Sequence, residues 1–470
     1  MNKKIRVSEV EIQNFKNVIN GKITFPSSKR HPFNGADVLG IYGQNGSGKT
    51  AVIEAFQILS KLLRGKELDN NLTRLINQDT DTATLTFTFL IEIDNKIYEL
   101  VYCFEITKYK NENFENKDFE NLKNEDIIYV SKEELKYKEL KKGARPKIII
   151  QYSRRDENDS LIPKTLFNKV KSNKTDLFIS YKVNTQLAFK ERTSFLFRKE
   201  GMEFIKEIFD ADVFELIPIL KNTFANNLFI INNQQSSLIL ANVMIPVHYK
   251  KQDLDKGETG YGVTILGTEP RKMPRDMFDK TYNMLKAISK VLKEIIPGLT
   301  VELRELGEQT LNDGNVGVRA ELIAIRNGIA LPIALESDGI KKLISILSSL
   351  IVMYNDPNAC VVIDELDAGI FEFLLGEVVK ILNDSGKGQL LFTSHNLRLL
   401  EVLEKDNLVF TSINPEQRYI NLKGIKETNN IRDVYIRAIQ LGNDDESVYE
   451  ATDRYDIMDA FEEAGELNYG

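Results

Sequence analysis

Residues that can hold phosphate stand together between Gly43 and Thr50, in the stretch GQNGSGKT. Glycines at 43, 46 and 48 let the backbone curl until successive N–H groups face one point, and a helix starting there adds the positive end of its dipole. In such a nest Lys49 reaches the β- and γ-phosphates as a point charge, and the Thr50 hydroxyl ligates a magnesium ion. A second set of polar groups lies far downstream. The apolar run Cys360 to Ile363 ends in Asp364-Glu365, and the run QLLFTSHN carries His395 at its end. Asp364 suits a metal held through water, Glu365 suits acceptance of a proton from an attacking water, and His395 suits contact with a γ-phosphate.

These groups need elements to position them. Val38 to Ile41 reads as a buried strand feeding the glycine turn, and Thr50 to Leu63 as a helix with apolar residues at helical spacing. Upstream, Val7 to Phe25 alternates apolar and polar residues and breaks at Asn20-Gly21, which predicts a hairpin. Ala83 to Ile93 and Ile97 to Ile106 alternate around Asp94-Asn95-Lys96, which predicts another, so the first lobe is expected to be largely antiparallel. Lys108 to Asp126 is rich in Asn, Glu and Lys and reads as an exposed loop or insertion. From Ser160 to Leu240 amphipathic stretches predominate, and Pro274 to Ile296 predicts a helix closed by Pro297-Gly298. Strand patterns return at Leu299 to Arg304 and Gly317 to Ile325. Leu335 to Leu350, LESDGIKKLISILSSL, is a turn opening an apolar helix; read alone, Ser337 or Asp338 serves as its cap.

Composition narrows the class. With 470 residues, 42% hydrophobic and 28% charged, the chain can bury a sizeable core, and more than one domain is expected. The cysteines are Cys103 and Cys360 and the histidines are His31, His248 and His395, too few and too scattered for a disulfide framework or a histidine metal cluster. The longest apolar run, Leu343 to Tyr354, is too short and serine-rich to span a bilayer, and no secretory signal is evident, so a cytoplasmic protein with no membrane partner is expected. The net charge of -7 is uneven: Asn443 to Gly470 holds ten acidic residues and one basic. Lys132 to Arg155 and Lys164 to Lys199 are basic, readable as a nucleic-acid surface or as the solvated face of an insert. Sparse aromatics favour the second.

The order GQNGSGKT, ESDGIKKL, VVIDELD and TSHN resembles the ABC-type ATPase heads of the SMC and RecF group, especially the overcoming-lysogenization-defect-like ATPases. NFK at Asn14 to Lys16 adds to it, since that family often places a basic residue near the phosphates. The resemblance covers roughly Met1 to Ile106 and Leu299 to Arg437. It implies an α/β fold, a split ABC-type P-loop ATPase head with an inserted, mostly helical middle region. The implied domains are an N-terminal lobe with Walker A (1–106), an insertion that is mixed and then mostly helical (107–298), a C-terminal lobe with signature, Walker B and switch histidine (299–442), and an acidic tail (443–470). By the same resemblance Gly43, Asn45, Gly46, Ser47, Gly48, Lys49, Thr50 and Lys16 bind nucleotide, while Thr50 and Asp364 hold the metal. Glu365 and His395 are catalytic, Asp367 is the D-loop residue, and Ser337 with Gly339 forms a signature acting in trans. The implied cofactors are ATP and Mg2+, and two protomers sandwich two nucleotides, so a homodimer or larger homo-oligomer is expected.

Two departures accompany the resemblance. Glu336 and Asp338 replace the leucine and first glycine of the usual LSGGQ, placing carboxylates near a phosphate unless magnesium or Lys341 and Lys342 compensate, and slow turnover is expected. The Q-loop glutamine is unassigned between Gln78 and Gln151. For function, the resemblance implies the sensor or regulator subunit of a prokaryotic anti-phage module controlling a separate effector; the alternative is a DNA-repair or chromosome-associated ATPase. A nuclease regulated by its own ATPase is a third reading, against which no Glu followed by Asp-x-Asp appears after His395. Because the motifs lie outside it, Lys108 to Gly298 is expected to bind the partner.

Overall fold

The structure is a computed structural model that describes residues 3–28, 32–109, 127–155, 158–172, 174–209, 214–240, 245–253, 258–267, 269–422, 430–441 and 447–466. Most of the loop expected at Lys108 to Asp126 lies outside the described residues. Two sheets organise the molecule. Strands β1 (Lys3–Phe15), β2 (Val18–Thr24), β4 (Thr82–Ile93), β5 (Lys96–Tyr109), β6 (Ile127–Glu139), β7 (Lys147–Arg155) and β8 (Asn158–Ile162) form a seven-stranded antiparallel sheet in the order β2-β1-β4-β5-β6-β7-β8. The second sheet has six strands, ordered β19-β18-β3-β17-β16-β9, and contains β3 (Asp37–Tyr42), β9 (Leu228–Ile231), β16 (Cys360–Ile363), β17 (Gln389–Thr393), β18 (Leu408–Thr411) and β19 (Tyr419–Ile420). All of its pairings are parallel except β18 with β19.

Helix α1 (Lys49–Leu63) lies between the sheets, its apolar residues sharing one core with β1, β4 and β5 and with Leu39, Ile41, Val362 and Leu391 of the parallel sheet. The alternate residues of the same strands, Val38, Val361, Ile363, Leu390 and Phe392, face a second core with α7 (Asp338–Asn355) and α8 (Glu372–Ser385). A sheet covered on both faces needs continuous apolar strands, which is why Cys360 to Ile363 and Gln389 to Thr393 show no alternation. A buried polar joint fixes the two sheets to each other. Gln389 accepts from the Val7 N–H (2.8 Å) and donates to the Val7 carbonyl (2.7 Å) and to Asp37 (2.9 Å), while the Arg6 guanidinium donates to the carbonyls of Gly35 and Pro32.

The middle of the chain is built differently from the expectation. β6 pairs with β5 along its length, so the antiparallel sheet takes in β6, β7 and β8 instead of ending at residue 106. The helical part is α2 (Lys164–Ser172), α3 (Lys174–Lys190) and α4 (Lys199–Ile208), joined to the sheet by the buried Glu133 carboxylate, which accepts from Tyr102, Ser194 and the Phe195 N–H at 2.5–2.6 Å. β9 then enters the parallel sheet beside β16 and leads into α5 (Asn233–Leu240), and β10 (Ile245–Asp253) pairs with β11 (Glu258–Leu266). The helix expected at Pro274 to Ile296 is α6 (Arg275–Ile295), preceded by β12 (Arg271–Pro274) and packed on β13 (Leu299–Thr310) and β14 (Val316–Arg326), with β15 (Ile329–Pro332) at the edge. Two further helices, α9 (Ile431–Leu441) and α10 (Arg454–Glu466), come after the parallel sheet.

The first hairpin turns at Lys16-Asn17, not at Asn20-Gly21. Gly21 sits inside β2 opposite Ile12 for a packing reason: a Cβ there would lie 2.5 Å from the Tyr419 ring. The second hairpin turns where the sequence places it, with Asp94 and Asn95 both at positive φ. Among the described residues no helix is long and apolar enough to cross a membrane.

Candidate nucleotide site

Five parallel strands end at one edge, and their carboxyl ends carry the polar groups: Gly43 after β3, Asp364 after β16, Ser394-His395 after β17, Thr411 closing β18 and Asn232 after β9. Ligands of open α/β sheets sit outside such strand ends.

The phosphate loop is closed on itself. Gly46 and Gly48 have φ of 77° and 94°, a region that side chains with a Cβ rarely enter. Asn45 and Gly46 form its exposed tip, and a Cβ on Gly46 would meet nothing within 4 Å. Lys49, only 7% exposed, donates to the carbonyls of Gly43 (2.8 Å) and Gln44 (2.9 Å). Burial pushes its ammonium below the ordinary lysine value, against the pull of Asp364, Glu365 and Asp367. Ser47 donates to the Gln44 carbonyl and lies 2.6 Å from Thr411 Oγ1. Asn17 reaches the Gly46 carbonyl, Arg418 donates to the carbonyls of Asn17 and Ser412, and Tyr419 donates to the Gly48 carbonyl at 2.8 Å. Lys16 does not reach the loop: its ammonium pairs with Glu54 on α1 at 2.7 Å. Asn17, the next residue, is the one that bonds the loop backbone.

Asp364 is the best test of a metal site. Its Oδ1 accepts from Thr393 (2.6 Å), while Oδ2 is buried without a hydrogen-bond partner among the described residues. A buried carboxylate oxygen left unpaired is costly unless a cation or its water satisfies it. Burial pushes the carboxyl up from the ordinary aspartate range; Thr393 opposes this, Glu365 adds to it, and Thr50 and Lys49 pull it back. The residues present therefore fit Mg2+ between Thr50 and Asp364.

Glu365 is exposed and held at φ 49°, a conformation that costs a non-glycine residue energy and that this turn over-determines. Its N–H donates to Thr393 (2.8 Å), the buried Lys342 donates to its carbonyl, and Asn233 donates to Oε1 at 3.1 Å. Asn233 comes from the middle region, so that region is not separate from the site. On one side β16 is flanked by β9, which runs into Asn232-Asn233-Gln234-Gln235, whereas Gln151 pairs with β6 and β8 in the antiparallel sheet. No sequence signal marks this, because β9 and β16 are brought together only by the fold. The His395 N–H donates to Asp367 (3.2 Å), which fixes the turn after β17. Burial, with Lys49 adding to it, holds the His395 imidazole below the ordinary histidine value, so it is neutral at pH 7.

The signature turn lies at the start of α7. Ser337 is the N-cap residue by backbone, yet its side chain makes no cap hydrogen bond and is exposed, which corrects the capping role that the sequence alone favours. Gly339 is required by proximity: a Cβ there would stand 1.9 Å from the Gly369 carbonyl, so the signature touches the D-loop turn of its own chain. The two carboxylates expected to repel phosphate are already paired, Glu336 with Arg326 (2.9 Å) and Asp338 with Lys341 (2.8 Å). Lys342 turns inward to the Walker B turn.

Comparisons with known proteins supply the family. Over 89 residues, 19% of this chain, the sequence is 37% identical to the DNA replication and repair protein RecF of Shewanella frigidimarina (strain NCIMB 400), a match spanning about a fifth (21%) of that relative's length. Among solved structures the chain is similar to an SMC head bound to the C-winged helix domain of ScpA (13% identity, TM-score 0.42, 88% of this chain and 98% of that one). It is also similar to the SMC head domain from Thermotoga maritima (12%, TM-score 0.37, 89% and 99%). Residues 6–417 match the RecF/RecN/SMC N terminal domain, most of the chain, and the protein belongs to that family of SMC/RecF-like ABC-type ATPases.

Proposed function

We propose that this chain binds and hydrolyses ATP as a nucleotide-dependent dimerisation switch, and that it serves in the cytoplasm as the regulator of a separate effector in a prokaryotic anti-phage module. The observation that carries the nucleotide reading is the convergence of the Lys49 loop, Thr50 and the unpaired Asp364 Oδ2 at one sheet edge. Mg2+ held there would neutralise phosphate charge. Glu365, fixed by Asn233 and Thr393, accepts the proton of the attacking water, and neutral His395 orients the γ-phosphate.

Dimerisation is supported by the uncapped Ser337 and by the apolar residues beside it and beside the D-loop turn, Leu335 (70% exposed), Phe371 (68%) and Phe373 (52%). Exposed apolar residues grouped around polar groups that make no local bonds mark an association surface. The regulatory role rests on the resemblance of the motif order to stand-alone defence ATPases. Glu365→Gln tests the switch: phosphate release is expected to fall about 100-fold or more while ATP still binds, and light scattering is expected to show a larger mass with ATP than without. Full hydrolysis would remove Glu365 as the base, and a mass independent of ATP would remove the sandwich.

A second reading, DNA repair, is favoured by the RecF match. Against it, many basic residues of the two basic stretches are ion-paired within the chain: Lys132 with Glu105, Lys138 with Glu99, Arg192 with Glu67 and Arg198 with Glu191. Salt-dependent DNA binding by the isolated protein would move the assignment to repair.

A further inference from the structure

The acidic tail returns to the phosphate loop. The Ile413 N–H donates to the Ser447 carbonyl (2.9 Å), Val448 is buried, and the Gln44 side chain then grips Glu450 from both sides. The Glu450 N–H donates to Gln44 Oε1 at 3.0 Å, and Gln44 Nε2 donates to the Glu450 carbonyl at 3.5 Å. Gln44 belongs to the loop itself: its carbonyl accepts from Lys49 and Ser47, the bonds that keep the ammonium turned onto the loop backbone. One residue therefore reads both the tail and the state of the phosphate lysine.

Beyond this contact the chain is strongly anionic. Glu450 and Asp453 precede α10, which carries Asp456, Asp459, Glu462, Glu463 and Glu466 against a single cation, Arg454. The helix is exposed along almost all its length, including Tyr455 at 73% and Phe461 at 78%. A helix this short and exposed along almost all its length has little stability of its own, so its end of the tail is readily displaced.

We propose that the tail is an autoinhibitory strap: by holding Gln44 it favours the loop state in which Lys49 is bonded to its own backbone, and its carboxylates oppose the entry of a polyphosphate. This rests on the nucleotide reading of the loop. A phosphate drawn to the Lys49 ammonium competes with the carbonyls of Gly43 and Gln44 for its three N–H donors, and a bond lost at Gln44 shifts the peptide whose side chain anchors Glu450. Linkage makes the coupling reciprocal: if the strap lowers nucleotide affinity, nucleotide loosens the strap by the same factor. Bound ATP thus loosens the Ser447–Glu450 segment.

The test uses the full chain. In D456N/D459N/E462Q/E463Q, whose substitutions lie on exposed positions of α10, calorimetric ATP affinity at low salt is expected to rise about three- to tenfold, with the gain shrinking at high salt. Gln44→Leu, which removes both bonds to Glu450, is expected to raise hydrogen exchange at Val448 to Glu450, as ATP does in the unmodified chain. Unchanged or weaker affinity in the neutralised variant, or slower exchange at Val448 to Glu450 with ATP, overturns the strap while leaving ATP binding intact. If neither the unmodified chain nor the variant binds ATP, the nucleotide reading falls and the strap with it.

Discussion

Two helices of this molecule begin at glycine turns suited to an anion, α1 at the phosphate loop and α7 at the signature, and their surroundings differ sharply. The start of α1 is buried and supplied from four directions by its own chain: Asn17, Thr411, Tyr419 and the Lys49 ammonium all bond to the loop. The start of α7 has an exposed Ser337 with no cap bond and exposed Leu335 two residues before it. The first end is braced entirely from within its own chain. The second leaves a hydroxyl exposed at a helix start, as the proposed assembly in trans requires.

That contrast can be broken or sharpened by substitution. The largest effect is expected at the buried end: Lys49→Ala should weaken ATP binding about 100-fold or more, since no other cation stands in GQNGSGKT to face the phosphates. Equilibrium binding of labelled ATP to the folded variant checks it, and unchanged affinity would remove the loop as the nucleotide site. At the open end, Ser337→Glu should leave ATP affinity of the single chain within about twofold while lowering hydrolysis about tenfold or more, because the added charge faces the partner's phosphate only in the assembled state. A parallel loss of binding would mean that Ser337 acts in its own chain.

Gly339→Ala probes the same end through the D-loop. The new Cβ meets the Gly369 backbone carbonyl, which cannot rotate away, so a destabilisation of about 1–3 kcal/mol is expected by urea denaturation, with assembly weakened and single-chain ATP affinity kept. The smallest effect lies behind α7, where Ser348 bonds the His248 ring at 3.1 Å and burial holds the imidazole down to about 4. A histidine with a lowered folded value stays neutral while the unfolded chain takes up a proton near its ordinary pKa of about 6.5. Stability is therefore full above that value and is lost as pH falls toward 4. From pH 7 to pH 5 the loss is expected to be about 1–2 kcal/mol, and His248→Gln should remove most of this dependence, measured as denaturation midpoint against pH.

The contrast also separates what could be read from the chain alone. GQNGSGKT determines its own geometry because its glycines, lysine and threonine are consecutive, and a strand, a turn and a helix result from local physics. The same holds for Asp364-Glu365 at the end of an apolar run and for the Asp94-Asn95 turn. Local pattern misplaced the first hairpin turn because Gly21 serves a distant ring, Tyr419, and not the turn. It also ended the first lobe too early, because the pairing of β5 with β6 spans a stretch of sequence that carries no strand signal.

The order GQNGSGKT, ESDGIKKL, VVIDELD and TSHN, and the chemistry those residue types are able to do, can be read along the chain. Only the tertiary structure decided which groups support that chemistry. Asn233 reaches Glu365 because β9, 132 residues earlier in the chain, lies beside β16. Thr411 reaches the loop from β18 beside β3 and Tyr419 from the edge strand β19, Lys16 is taken by Glu54, and Gln44 is taken by the tail. Such contacts depend on long-range strand pairing and close packing, which no local spacing encodes, whereas a loop of eight consecutive residues carries its own turn, charge and dipole wherever the fold sets it.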